Sequence, residues 1–178
     1  MSKLVKESHV ALHTIAEEVP VADITTPAIQ KVLKDMHKAL ESYAVDGFNG
    51  VAIAAPQIGI SLRIFLVHDT SKGVKGEKRI PTLTAINPTI VKVSKKKEVV
   101  GEGCLSVPEA YGAVERSRQA TIRAYDETGK EYEWGGSGLL AQIFQHEVDH
   151  LDGMLFIDRA ERVWHKDEIG ESGLTEAK

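Results

Sequence analysis

The segment Gln145-His146-Glu147-Val148-Asp149-His150 constrains this chain more than any other stretch. Two histidines in a His-Glu-x-x-His pattern on a helix share one face, one turn apart, and both rings can reach one metal ion. Glu147 follows the first and is placed to act as a base on a water held by that ion. Before it, Leu139, Leu140, Ile143 and Phe144 recur at three- and four-residue steps, which predicts a helix from about Ser137. Gly135, Gly136 and Gly138 punctuate its start, and Gly153 stands where it should stop. Two imidazoles make an incomplete site, because a catalytic ion usually takes three protein ligands and keeps one position open. The residues leave three sources for the third ligand: Cys104, an acidic side chain, or another histidine.

Bulk properties narrow the setting. At 178 residues the chain suits one domain with a sizeable core, and 42% hydrophobic with 27% charged residues is ordinary for a globular protein. Lys+Arg total 22 against 26 Asp+Glu, and the net charge of −4 gives no support to nucleic-acid or anionic-membrane binding. No apolar run approaches the length of a membrane span. Met1 to Pro20 carries Glu7, Glu17 and Glu18 and no arginine, so it reads as neither a secretory signal nor a transit peptide. A single cysteine, Cys104, excludes an internal disulfide and fits a reducing compartment.

Along the chain, residues 1–24 resist assignment. Thr25 or Thr26 can cap a helix with Pro27 in its first turn, and Ile29, Val32, Leu33, Met36 and Leu40 continue it until before Gly47. His37 reads as a surface residue of that helix. Gly50 to Gly59 is small and apolar: a buried loop or strand end, or backbone that lets a ligand come close. Leu62 to Val67 reads as a buried strand, and Ser71 to Lys78 as an exposed loop. Leu83 to Val93 reads as a strand with Asn87-Pro88 as a break. Ser94 to Lys97 reads as a solvated hairpin tip. Val99 to Leu105 leads into Cys104, and Ala120 to Trp134 forms a hairpin turning at Thr128-Gly129. Met154 to Ile157 is a short apolar run, and residues 163–178 a polar tail. Strands before a late helix predict an α+β class, a mostly antiparallel sheet packed around a C-terminal metal-binding helix, with an N-terminal helix.

Cys104 sits in Gly101-Glu102-Gly103-Cys104-Leu105-Ser106. A lone cysteine is ordinarily a small buried hydrophobe, but flanking glycines permit close approach. At this point three separated motifs resemble one family, the peptide deformylases. They are Gly50–Gln57, Glu102-Gly103-Cys104-Leu105-Ser106, and Gln145-His146-Glu147-Val148-Asp149-His150-Leu151, in matching order and spacing. Weaker similarity spans about residues 10–160, including Ile86-Asn87-Pro88 and Leu155-Phe156-Ile157-Asp158.

The resemblance implies a single catalytic domain that removes the formyl group from the N-terminal methionine of newly made polypeptides and releases formate. It implies one divalent metal held by Cys104, His146 and His150, with Fe2+ expected as the native ion and Zn2+, Ni2+ or Co2+ accommodated. Ligand chemistry alone does not choose among them. Glu147 would be the general base and acid, and Gln57 and the Leu105 N–H the donors to the developing oxyanion. The peptide would lie extended along Gly50, Val51 and Ala52 and near Gly103, like an added strand. Its methionine side chain would enter a pocket formed by Leu139, Ile143 and Val51, with Gln142 making that wall less uniformly apolar. Asp149 and Glu102 could orient the histidines, or Asp149 could be solvated and Glu102 paired with an arginine such as Arg116. The partner implied is the nascent formyl-methionyl polypeptide, with transient ribosome association, in a bacterial-type cytoplasm.

The chain departs from the family at Ala52, where glycine is usual, and at Ile53, where leucine is usual. A methyl at Ala52 would narrow the groove, and glycine there would serve close approach or a positive φ. No proline-rich element is evident around Ser8-His9-Val10. Two rivals follow. One is a zinc peptidase on the same helix, its third ligand downstream at Glu161 or His165. The other is a catalytically weak relative acting as a binding module, kept open by Ala52.

Overall fold

The computed structural model describes residues 4–45, 48–68 and 80–165. The expected exposed loop at Ser71 to Lys78 lies outside them, as does the polar tail beyond residue 165. Ten strands and three helices follow one another in these residues: α1 (Pro27–Ser42), β1 (Ala44–Val45), β2 (Phe48–Asn49), β3 (Ala52–Ala54), β4 (Ile64–Val67), β5 (Leu83–Val93), β6 (Lys97–Cys104), β7 (Val107–Ser117), β8 (Gln119–Tyr125), β9 (Glu131–Ser137), α2 (Leu139–Leu151), α3 (Phe156–Arg159) and β10 (Arg162–His165). The class is α+β with antiparallel strand pairing, as expected. Among the described residues no helix is long and apolar enough to cross a membrane.

Five strands form the main sheet in the order β3-β4-β5-β8-β9, and β10-β7-β6 form a second. Strand β4 shows why the main sheet has two covered faces. Successive side chains of a strand point to opposite sides. Ile64 and Leu66 pack with Ile29, Leu33, Met36 and Leu40 of α1. Phe65 and Val67 pack with Phe144, Val148 and Leu151 of α2. Every residue of β4 is therefore buried, which is why its sequence is an unbroken apolar run rather than an alternating one. A third cluster joins Leu12, Val107, Val114, Leu155 and Phe156 beneath the second sheet.

Local signals account for the helix starts. Thr26 is the N-cap of α1 and Pro27 its first residue, although the Thr26 hydroxyl donates to the Asp23 carbonyl instead of capping. Helix α2 begins two residues later than its periodicity suggested, at Leu139. Gly135, Gly136 and Ser137 belong to β9, and Gly138 makes the turn with φ 57° and ψ −129°, a backbone state that side chains rarely permit. An added Cβ at Gly136 would meet the Leu140 Cγ at 2.9 Å and the Ala141 backbone nitrogen at 3.1 Å. The helix thus lies directly on the end of β9.

Three expectations are corrected. Ser94 to Lys97 is not a hairpin tip, because β5 and β6 belong to different sheets. The Ser94 N–H donates to the Gln119 carbonyl and the Arg118 N–H to the Lys96 carbonyl, so two inter-sheet corners run side by side. His37 is half-buried, and its ring meets His68 edge-on at 5.8 Å. The chain from Val163 to His165 is not loose, since it pairs with β7 as part of β10.

The unassigned N-terminal stretch is a strap. The Val5 N–H donates to the Gln57 carbonyl, Ala16 to Leu151, and Glu17 to Ser61. Asn87 holds Val19 by both its N–H (2.8 Å) and its carbonyl (2.7 Å). Asn87 itself adopts φ 51°, the break expected at Asn87-Pro88.

Candidate active site

Two elements from different layers meet at the site. Strand β6 ends at Cys104, and α2 presents His146 and His150 one turn apart on the same face. The Cys104 Sγ lies 3.2 Å from the His150 Nε2, and ligand atoms of all three residues fall within 4.8 Å of one another. The two imidazoles stand nearly perpendicular, with ring centroids 4.9 Å apart. Among the described residues this is the only such group of three metal-ligating side chains. Glu161 and His165, the downstream alternatives, lie at and in β10, which pairs with the far side of β7 from β6.

The donor set fits a divalent transition ion. One soft thiolate and two imidazoles leave a fourth position of a tetrahedral site free. The electrostatics agree. Burial raises the Cys104 thiol, but the charge of His150 and the hydrogen bond from His146 outweigh it and hold the thiol well below its ordinary value. Burial lowers His146, but its hydrogen bonds to Cys104 and Glu102 lift it well above the usual imidazole range. The lowered thiol and the raised imidazole keep a proton on the ring beside the sulfur, and a bound ion would displace that proton.

The expected orienting acids take different roles. Glu102 is buried and accepts from His146 Nδ1 at 2.9 Å, turning the other ring nitrogen toward the site. It also receives Arg116 through both oxygens, at 2.7 and 2.9 Å. Burial raises its carboxyl, but Arg116 and His146 outweigh that and hold it at about 2. Asp149 is not solvated, and among the described residues its side-chain hydrogen bonds go to arginines rather than to a histidine. It is buried and bridges Arg116 (2.6 Å) to Arg159 (2.8 Å). Arg116 thus ties the β6 acid to the α2 acid.

Glu147 is 4% exposed, and its Oε2 has no hydrogen-bond partner among the described residues. Burial pushes its carboxyl up to about 7, against the opposing charges of His146 and His150. A buried acceptor without a partner is costly unless something else satisfies it. Gln57 is 1% exposed in the short 3-10 turn Ala55–Ile58. Its Oε1 accepts from the Ala54 N–H at 2.8 Å, which fixes the amide and points the nitrogen at Cys104 Sγ and Ser106 Oγ, each 3.4 Å away.

A cavity of about 320 Å³ opens onto this cluster. Gly50, Val51, Ala52, Gly103, Leu139 and Ile143 all line it, together with Gln57, Leu105 and Glu147. The edge strands β3 and β6 border it from different sheets. Gly103 lies flat against Tyr111, whose ring carbons would stand 3.1 and 3.2 Å from an added Cβ. Ala52 pairs with Val67 in ordinary extended backbone, and its methyl joins the core around Ile143 and Phe144. No positive φ calls for glycine there. Ser106 stands in the second motif, where its hydroxyl accepts from Gln57, whereas Tyr111 beneath Gly103 and Arg159 against Asp149 carry no local pattern that ties them to the site.

Comparison with known proteins finds one family throughout. The family model described as polypeptide deformylase matches residues 1–166. A peptide deformylase of Desulforudis audaxviator is 44% identical over 119 residues, covering 67% of this chain and 72% of that protein. Peptide deformylase 1 of Bacillus anthracis is 37% identical over 171 residues, covering 94% of this chain and 97% of that protein. The crystal structure of a peptide deformylase from Legionella pneumophila superposes with a TM-score of 0.77 at 34% identity, covering 89% of this chain and 85% of that one.

Proposed function

The chain belongs to the peptide deformylase family, and we propose that the junction of β6 and α2 is its catalytic machinery. The protein is a metal-dependent hydrolase that removes the formyl group from the N-terminal formyl-methionine of nascent polypeptides and releases formate. One observation carries the assignment of residues: Cys104, His146 and His150 converge at the edge of a cavity lined by the first two, beside a buried carboxylate oxygen with no partner among the described residues.

Cys104, His146 and His150 would hold the ion, and ferrous iron is the reading for the native metal. When bound, the ion would supply Lewis acidity, making water a stronger acid and stabilising charge on the formyl carbonyl. Glu147 takes a proton from the attacking water and returns it to the departing amine. The carbonyl oxygen gains charge as the water adds, and it needs donors already aimed at it. The Gln57 amide fits that role. Its orientation is fixed by Ala54, and its 3.4 Å contacts are long enough to be exchanged for a better acceptor. The Leu105 N–H, next to the thiolate, is the second donor. The products are formate and a free N-terminal amine.

The peptide lies extended between the edges of β3 and β6, pairing with Gly50 to Ala52 and with Gly103. Its first side chain enters the recess walled by Val51, Leu139 and Ile143. Residues 1–178 act as one catalytic domain in a bacterial-type cytoplasm. Contact with the ribosome is transient, at the moment the nascent chain is offered.

The test is formate release from a formyl-Met peptide by anaerobically prepared, iron-loaded protein. Glu147→Gln should retain the metal while the rate falls about 10²–10⁴-fold. A rate equal to the wild type in that variant would remove Glu147 from the mechanism. Cys104→Ala should lose the ion, whereas a peptidase with a downstream ligand would keep it.

A further inference from the structure

The recess for the first side chain has one polar wall. Gln142 lines the cavity beside Leu139 and Ile143. It precedes His146 by one helical turn, so both project from the same side of α2. Its Nε2 lies 2.9 Å from the carbonyl oxygen of Gly101 in β6. A carbonyl only accepts, so the amide nitrogen must face it, and the orientation of the side chain is fixed by chemistry. An amide nitrogen carries two hydrogens. One is spent on Gly101, and the second is carried on the same rigid plane, on a side chain that lines the cavity. Its neighbours in the recess on α2, Leu139 and Ile143, are aliphatic and offer no side-chain donor.

We propose that Gln142 is a specificity-determining residue of this pocket: it donates to sulfur in the first side chain of the substrate, favouring thioether over an apolar chain of equal shape. The inference rests on the deformylase reading and adds to it a preference within the pocket. Methionine sulfur is a weak acceptor, whereas norleucine has a methylene in its place and accepts nothing. Norleucine is the more hydrophobic of the two, so a wholly aliphatic recess would take it at least as well. A pocket bearing a pinned donor reverses that order. A sulfoxide oxygen, a far stronger acceptor, should be tolerated by the same donor despite its polarity.

The experiment compares formyl-Met, formyl-norleucine and formyl-Met-sulfoxide peptides on the metal-loaded enzyme, by kcat/KM. Binding of the matching unformylated Met and norleucine peptides is measured alongside by calorimetry. Wild type should favour Met over norleucine by about twofold, the low end of a net hydrogen bond, as suits a weak acceptor. Gln142→Leu should abolish or invert that ratio and cost the sulfoxide substrate about tenfold more than it costs formyl-Met. Gln142→Glu keeps the size but cannot donate, so it too should lose the Met preference, in rate and in peptide affinity. Formate release with a Met-to-norleucine ratio untouched by both substitutions overturns the role of Gln142 alone. No formate from formyl-Met with the wild-type enzyme overturns the deformylase reading, and this inference with it.

Discussion

Arg116 is the residue on which the rest of the cluster leans. Ala110, Gly112, Val114 and Arg116 share the buried side of β7, and a guanidinium stands where the strand's alternation asks for an apolar group. It is compensated by Glu102 and Asp149, both buried. Replacing it with methionine leaves two buried carboxylates facing each other. Arg116→Met should therefore cost about 3–5 kcal/mol in urea unfolding, the usual price of breaking rather than replacing a buried ion network. Glu102→Gln is milder, since it keeps an acceptor for His146. It should weaken metal affinity about 10–100-fold, read by competition with a chelator. The contrast shows what was legible at this scale. His146, Glu147 and His150 sit in a short motif whose residue types announce a chemistry, while Cys104 was one of three open sources for the third ligand and Gln57 was reached only through the family resemblance; the structure brings all five together. Arg116 was named only as one partner for Glu102. Strand β7 went unread because Pro108, Glu109 and Gly112 interrupt its alternation, and without the strand nothing points Arg116 inward.

Helix α2 and strand β9 set the position of the histidines. A side chain at Gly136 meets the backbone of Ala141, which cannot rotate away. Gly136→Ala should push the helix off the sheet, costing about 1–3 kcal/mol and lowering metal occupancy in step, measured by unfolding and metal analysis on the same sample. On the opposite face, α1 carries His37 against His68. Burial, then the neighbouring ring, lowers the His37 pKa below 6.5. The unfolded chain therefore binds this proton more readily than the folded one. Stability from this site should be complete above about pH 6.5 and fall as pH drops through the folded value. His37→Gln should flatten that part of the stability profile between acid and neutral pH. Elements such as α1, β4 and the β8–β9 hairpin were legible because periodicity and turn residues agree in them. The strap of residues 4–24 was not, since its hydrogen bonds run to Gln57, Ser61, Asn87 and Leu151, and no local pattern encodes such distant partners.

At the scale of the molecule, an ion held by Cys104, His146 and His150 would join the second sheet to the helix that covers the first. Its removal should loosen that junction. A chelator-treated sample should melt about 5–10 °C below one held at a hundredfold excess of metal over its dissociation constant, by calorimetry. The sequence separation in the ligand set has a consequence for biogenesis. Cys104 and His150 stand 46 positions apart. A nascent chain that has passed Cys104 but not yet His146 therefore offers a metal ion only the sulfur of the proposed ligand set, and capture there must await translation of α2. Metallation at the proposed site is in this sense a late event of synthesis, since a chain interrupted before α2 lacks both imidazoles that would hold the ion.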